Sequence, residues 1–140
     1  MSFNFGPTLL SWMEVFAPHA YERIIRADIK SIELHGGHGN AIAQVYNHII
    51  MPLANELDKQ TQVVWGIKDF EYRFGRKPEG MWLAETAVDD DTLRVLVEHG
   101  IKFTILSPFQ AKSIRKEGEP NWQDVSWGNI DPARSYRYYI

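Results

Sequence analysis

The chain has 140 residues, 44% hydrophobic and 24% charged, an ordinary globular balance with length for one buried core and one domain at most. Its net charge of -3 gives no electrostatic case for nucleic acid or an anionic membrane. The absence of cysteine excludes disulfides and thiolate metal sites, and no apolar run approaches the roughly 18 residues of a membrane span. The start lacks a charged-then-apolar signal pattern, so a cytoplasmic enzyme, or a piece of one, is expected.

Taken in chain order, Phe3-Asn-Phe5 reads as a strand end, followed by helices over residues 8–16 and 20–33. Gly36-Gly37-His38-Gly39-Asn40 is a glycine-rich turn leading into a strand over 40–46, and 50–57 reads as a short helix. Val63, Ile67, Phe70 and Phe74 recur at spacings of four, three and four, which sets them on one helical face. Gly75 is the helix stop, and 76–80 is a polar turn. Met81-Trp82-Leu83 is a short apolar strand. Asp89, Asp90 and Asp91 sit at the positive end of a helix over 92–99, which Gly100 ends as a left-handed cap with Ile101 folding back. Phe103-Thr-Ile-Leu106 is the next strand.

Strand, helix, strand with short connections predicts parallel neighbouring strands, so the expected fold is α/β, with a parallel sheet or part of a barrel. Residues 112–134 are polar, with Trp122 and Trp127 among turn formers, and read as a long surface loop or hairpin. The chain opens into a strand-like segment and closes on Tyr136-Arg-Tyr-Tyr-Ile140, which suggests an internal piece of a larger protein.

Glu85 is the foremost candidate for chemistry. It lies two residues past the strand 81–83, at the strand's C-terminal end, where parallel α/β folds place their active sites. Trp82, Leu83, Ala84 and Ala87 surround it in sequence, unlike the solvated Asp89–Asp91 group, which reads as helix-capping acids. The plainer reading of Glu85 is also a helix-start acid. His35 and His38 lie three apart with His48 downstream. A zinc site is one reading, but no Asp or Glu stands at ligand spacing, and structural or substrate-contacting histidines are the better one. Aromatic residues make up 13%, with five Trp. They read first as packing, and second as flat rings that stack on sugar faces.

These residues meet a known family. Gly80-Met-Trp-Leu-Ala-Glu-Thr-Ala-Val88 resembles the Gly-x-Trp-Leu-x-Glu segment of glycoside hydrolase family 57, whose Glu is the nucleophile. Gly39-Asn-Ala-Ile-Ala-Gln44 resembles that family's Gly-Asn-Val-Glu-Val-Thr element. Tyr46-Asn-His-Ile-Ile-Met-Pro-Leu53 resembles its Tyr-x-His-Pro-Ile-x-Pro-Leu continuation. The resemblance runs in order over residues 3–107. Ile42 stands where the family often has Glu, so a polar contact to sugar is absent or supplied elsewhere. The family's opening His-x-Gln-Pro segment and the later one bearing its acid/base Asp have no counterpart. Asp131, the late Asp, precedes Pro132 and reads as a turn residue.

The resemblance implies part of a (β/α)7 barrel with parallel strands, divided as a helical start (7–33), a βα core (39–107) and a loop-rich tail (108–140). It implies retaining attack on an α-glucan or oligosaccharide, with Glu85 as nucleophile and no cofactor or metal. Trp82 is then a stacking wall or a core residue, and His48, Asn40, Gln44 and His38 are candidate sugar contacts. Without an acid/base carboxyl the isolated chain is expected to be inactive, and unpaired barrel strands are expected to favour self-association. Two rivals remain: a polysaccharide deacetylase-like barrel with an Asp and two His on a metal, and a non-catalytic carbohydrate-binding module.

Overall fold

Two prolines open the first two helices. Pro7 and Pro18 each occupy the first helical turn, where a missing N–H costs nothing, and start α1 (Pro7–Phe16) and α2 (Pro18–Leu34). The computed structural model describes residues 1–140 as two compact units, Met1–Thr104 and Ile105–Ile140.

In the first unit the chain continues through β1 (Ala43–Gln44), α3 (Glu56–Phe74), β2 (Met81–Trp82) and α4 (Asp90–Glu98). The strands β1 and β2 pair in parallel, Ala43 against Met81 and Gln44 against Trp82. Parallel bridges from Phe3 to Ala41 and from Gly80 to Phe103 add one further strand on each side. Four parallel strands therefore lie side by side in sequence order, joined by helices, which is α/β architecture.

The strands are shorter than their sequence suggests. The segment 40–46 pairs regularly only at β1 and Ala41, and 103–106 contributes the single bridge at Phe103. Residues 50–57 are not one helix. Met51–Leu53 forms a single 3₁₀ turn, and Asn55 then caps α3, its side chain accepting from the Asp58 N–H at 2.9 Å. Pro52 limits the turn by having no N–H to donate.

The apolar stripe on α3 packs as its spacing predicts. Val63 and Phe70 are buried with Ala41, Ala43, Val45, Met81 and Leu83, and Ile67 and Phe74 cover the margin. Gly66 lies on this side too, and a Cβ there would run into the Gln44 carbonyl. Only glycine lets α3 approach β1 so closely. Gly75 ends α3 at φ 66°, and Gly100 follows α4 at φ 79°, with the Ile101 N–H returning to the Leu96 carbonyl at 3.0 Å.

Buried charges tie these elements together. Asp28 of α2, only 1% exposed, takes a two-pronged contact from Arg76, Nε to Oδ2 at 2.8 Å and Nη2 to Oδ1 at 2.9 Å. The same Asp28 accepts the Ala41 N–H at 2.7 Å, while Arg76 donates to the Ala41 carbonyl at 2.8 Å. Ser31 Oγ accepts the Asn40 N–H at 2.8 Å, and a side chain on Gly39 would strike the Arg76 guanidinium. Arg73 binds Asp69, Glu14 and Ser11, joining α3 to α1.

A more exposed group closes the same end of the sheet. Glu79, just before β2, meets His38 Nδ1 at 2.8 Å and Lys102 Nζ at 2.9 Å. Hydrogen bonds from His38 and then Lys102 hold the Glu79 carboxyl down at about 2, against an ordinary value of 4.5.

The second unit carries an antiparallel hairpin, β3 (Ser113–Ile114) with β4 (Gln123–Asp124), so the tail resolves to a hairpin rather than an open loop. Val125 is fully buried, its N–H donating to the Lys112 carbonyl at 2.9 Å. Asp131 is a turn residue. Its Oδ1 accepts the Ala133 N–H at 3.0 Å, and Arg134 pairs with Oδ2.

Asp28→Ala leaves the Arg76 charge and the Ala41 N–H without their partner. Denaturant unfolding is expected to show a loss of about 3–5 kcal/mol, against under about 0.5 kcal/mol for removal of the exposed Lys68–Glu71 pair. Because Glu79 is depressed, its contribution is complete above pH 4.5 and lost as pH falls toward 2. The stability difference between wild type and Glu79→Gln is therefore expected to shrink across that window. A constant offset in parallel pH titrations of unfolding would contradict this.

Candidate active site

Past Trp82 the chain leaves β2 through Leu83 and Ala84, both fully buried, and makes one 3₁₀ turn over Ala84–Thr86. The Thr86 N–H returns to the Leu83 carbonyl and the Ala87 N–H to the Ala84 carbonyl, each at 3.0 Å. Within this turn Glu85 has φ 55° and Thr86 φ 54°. Two successive non-glycine residues in the left-handed region cost roughly 1–3 kcal/mol each. The buried Leu83 and Ala84 below hold the turn, and the Glu85 side chain stands out 73% exposed. It does not cap α4. That role belongs to Asp89, which accepts the Thr92 N–H at 2.8 Å and also binds Lys59 at 3.0 Å, tying α4 to α3.

His48 reaches the same place from the neighbouring strand. After β1 the chain turns at Tyr46 and Asn47, and Gln62 of α3 anchors the turn. The Gln62 carbonyl accepts the Tyr46 N–H at 3.2 Å, and Gln62 Oε1 accepts the Asn47 N–H at 2.7 Å. His48 follows with φ 48°. Its Nε2 lies 3.7 Å from Glu85 Oε1, beyond a direct hydrogen bond. Its ring centroid is 5.4 Å from that of Trp82. Trp82, half-buried, supports the histidine.

Gln44, the strand partner of Trp82, is buried at the same C-terminal edge and accepts a hydrogen bond from Asn4 Nδ2 at 2.8 Å. Asn40 and His38 lie elsewhere. Asn40 precedes β1 and its backbone carbonyl accepts the Phe3 N–H, about four residues (roughly 13 Å) back along the strand from Gln44. His38 is engaged with Glu79 before β2. Both stand at the opposite end of the sheet from Glu85. Their motif positions do not reveal this, because a strand's two ends are adjacent in sequence yet face opposite ways. His35 caps the end of α2, and no group of three or more His, Asp or Glu side chains is placed to hold a metal ion. Asn4 and Gln62, which orient Gln44 and the His48 turn, carry no motif. Only their partners in the fold reveal them.

The description of glycosyl hydrolase family 57 matches residues 4–136. Alpha-amylase 1 of Dictyoglomus thermophilum is 29% identical over 104 residues, covering 74% of this chain and 14% of that protein. Among solved structures, the 4-alpha-glucanotransferase of Thermococcus litoralis superposes with TM-score 0.63 at 22% identity, over 85% of this chain and 18% of its own. A branching enzyme of the same family from Pyrococcus horikoshii superposes with TM-score 0.50 at 19% identity, over 72% of this chain and 31% of its own. The chain thus spans less than a third of each of these relatives. With the match running over nearly its whole length, the chain belongs to glycosyl hydrolase family 57.

Proposed function

We propose that this chain supplies the nucleophilic edge of a retaining glycosidase or transglycosidase acting on α-glucan, with Glu85 as nucleophile. One observation carries the reading: an exposed carboxylate held on two strained left-handed residues at the C-terminal edge of a parallel strand, with His48 and Trp82 beside it. The names of an alpha-amylase and a 4-alpha-glucanotransferase among the relatives support the substrate class. The strand order supports a barrel. Four parallel strands in strict sequence order build an arc that closes by repetition, whereas a doubly wound sheet reverses direction.

In this reading a Glu85 oxygen bonds to the anomeric carbon as the glycosidic C–O bond breaks. A second carboxyl about 5–5.5 Å away protonates the departing oxygen. That group then takes a proton from water, giving hydrolysis, or from a sugar hydroxyl, giving transfer, as the acceptor oxygen bonds to the anomeric carbon and the bond to Glu85 breaks. Trp82 offers an apolar ring face, and His48 Nε2 reaches the space beside the carboxylate for a sugar hydroxyl. Of the acids that follow in sequence, Asp89 is engaged by Lys59 and the α4 cap, and Asp91 pairs with Arg94. The family segment that bears the acid/base Asp has no counterpart in this sequence, so the second carboxyl is assigned outside these 140 residues, and the chain alone is expected to be inactive on glucan.

An activated fluoro-glucoside separates the two steps, because fluoride departs without protonation. Peptide mapping is expected to find one sugar on Glu85, and Glu85→Gln to abolish labelling and lower turnover in the whole protein by on the order of 10³-fold or more. A folded protein that binds glucan but acquires no label, with the reagent active on another family member, would favour a carbohydrate-binding module.

A further inference from the structure

Beside His48 a cleft of about 340 Å³ opens along Gly6, Pro7, Thr8, Leu9, Gln44, Tyr46 and Asn47. We infer that this cleft holds the glycosyl unit next to the one at Glu85, and that Gln44, set by Asn4, reads a hydroxyl of that unit. The inference rests on the proposed glucan chemistry and assigns it a specificity-determining residue.

The geometry begins with Ile42. On a strand, residues two apart share a face, so Ile42 and Gln44 project from the same side of the sheet. Gln44 is the one nearer the end that carries Glu85. Gln44 is itself buried, at 8% exposure. Its Oε1 is occupied by Asn4 Nδ2 at 2.8 Å, which leaves the amide N–H donors for another acceptor. The amide nitrogen points toward Gly6, where a Cβ would stand only 2.9 Å away. Gly6 has an ordinary extended backbone, φ -68° and ψ 150°, so no backbone requirement explains the glycine. The space it leaves is filled by the Gln44 amide.

The remaining walls suit a sugar. Leu9 offers exposed apolar surface above the buried Pro7, while Thr8, Asn47 and His48 offer polar groups around it. Tyr46 is held edge-on against Trp65, ring centroids 5.6 Å apart. A few placed polar groups among apolar walls, at about this volume, is the ordinary make-up of a small-ligand site. Gln44 is also the strand partner of Trp82, whose ring meets His48. Cleft and proposed nucleophile thus occupy adjacent strand ends.

Two substitutions perturb the amide by different routes. Gln44→Met keeps its length and removes its donors, and Gly6→Ala displaces it without straining the backbone. In the whole protein carrying Glu85→Gln, calorimetric titration with maltoheptaose is expected to show about 3- to 10-fold weaker binding for each. With Glu85 restored, each is expected to raise KM with kcat little changed. Thermal midpoints close to the parent's would separate this effect from unfolding. Unchanged affinity in both variants, with the parent binding, overturns the subsite and leaves the nucleophile standing. No binding by the parent, together with no labelling of Glu85, removes the glucan reading itself and the subsite with it.

Discussion

The contact between Asp28 and Arg76 positions the start of β1, and the rest of the first unit is arranged around it. A buried carboxylate is costly unless every lone pair finds a donor. Here the guanidinium supplies two and the Ala41 N–H a third. Arg76 then closes the circuit on the Ala41 carbonyl. One strand residue is thereby held from both of its backbone groups, by α2 through Asp28 and by the segment after α3 through Arg76. Strands this short cannot set their own register by ladder hydrogen bonds alone. A two-residue pairing between β1 and β2 is specified because its first strand is clamped where it begins.

That clamp divides the sheet into two ends with different duties. The N-terminal end carries the ionic groups that fix geometry: Asp28 with Arg76, and Glu79 with His38 and Lys102. At the C-terminal end stand Glu85, His48, Trp82 and Gln44, and His48 approaches Glu85 without reaching hydrogen-bond distance. In parallel α/β folds the strand C-termini are where loops carry chemistry, and the opposite face serves stability. His38 and Asn40 follow that division. Their glycine-rich loop belongs to the clamped end, where Gly39 gives the Arg76 guanidinium room to pack.

Much of this was legible in the sequence where the signal is local. The spacing of Val63, Ile67, Phe70 and Phe74 gave the buried face of α3, Gly75 and Gly100 gave its stop and that of α4, and the step from 81–83 to Glu85 gave the candidate carboxylate. What stayed hidden is relational. Asp28 and Arg76 are 48 residues apart, and each alone looks like a surface charge. Gly66 reads as a flaw in a helix, at about 1 kcal/mol relative to alanine, until the Gln44 carbonyl is seen against it. Asn4 and Gln62 are polar residues without pattern, and only the fold shows that they orient Gln44 and the His48 turn.

Positive φ at non-glycine residues occurs at His48, Glu85, Thr86 and Trp127. Glycine would relieve each, and under the proposed mechanism its absence at Glu85 and His48 has a direct explanation. A residue needed for its side chain cannot be glycine, so the strain must be borne by neighbours that hold the turn. Buried Leu83 and Ala84 do this for Glu85, and Gln62 does it for the turn into His48. Trp127 shows why strain alone is a poor guide. It has the same conformation and an 86% exposed ring in the second unit, yet belongs to no proposed site. The left-handed backbone marks a place where a side chain is being presented. What it is presented for must come from the groups around it, and at Glu85 those groups are a histidine, a tryptophan and a polar cleft one strand away.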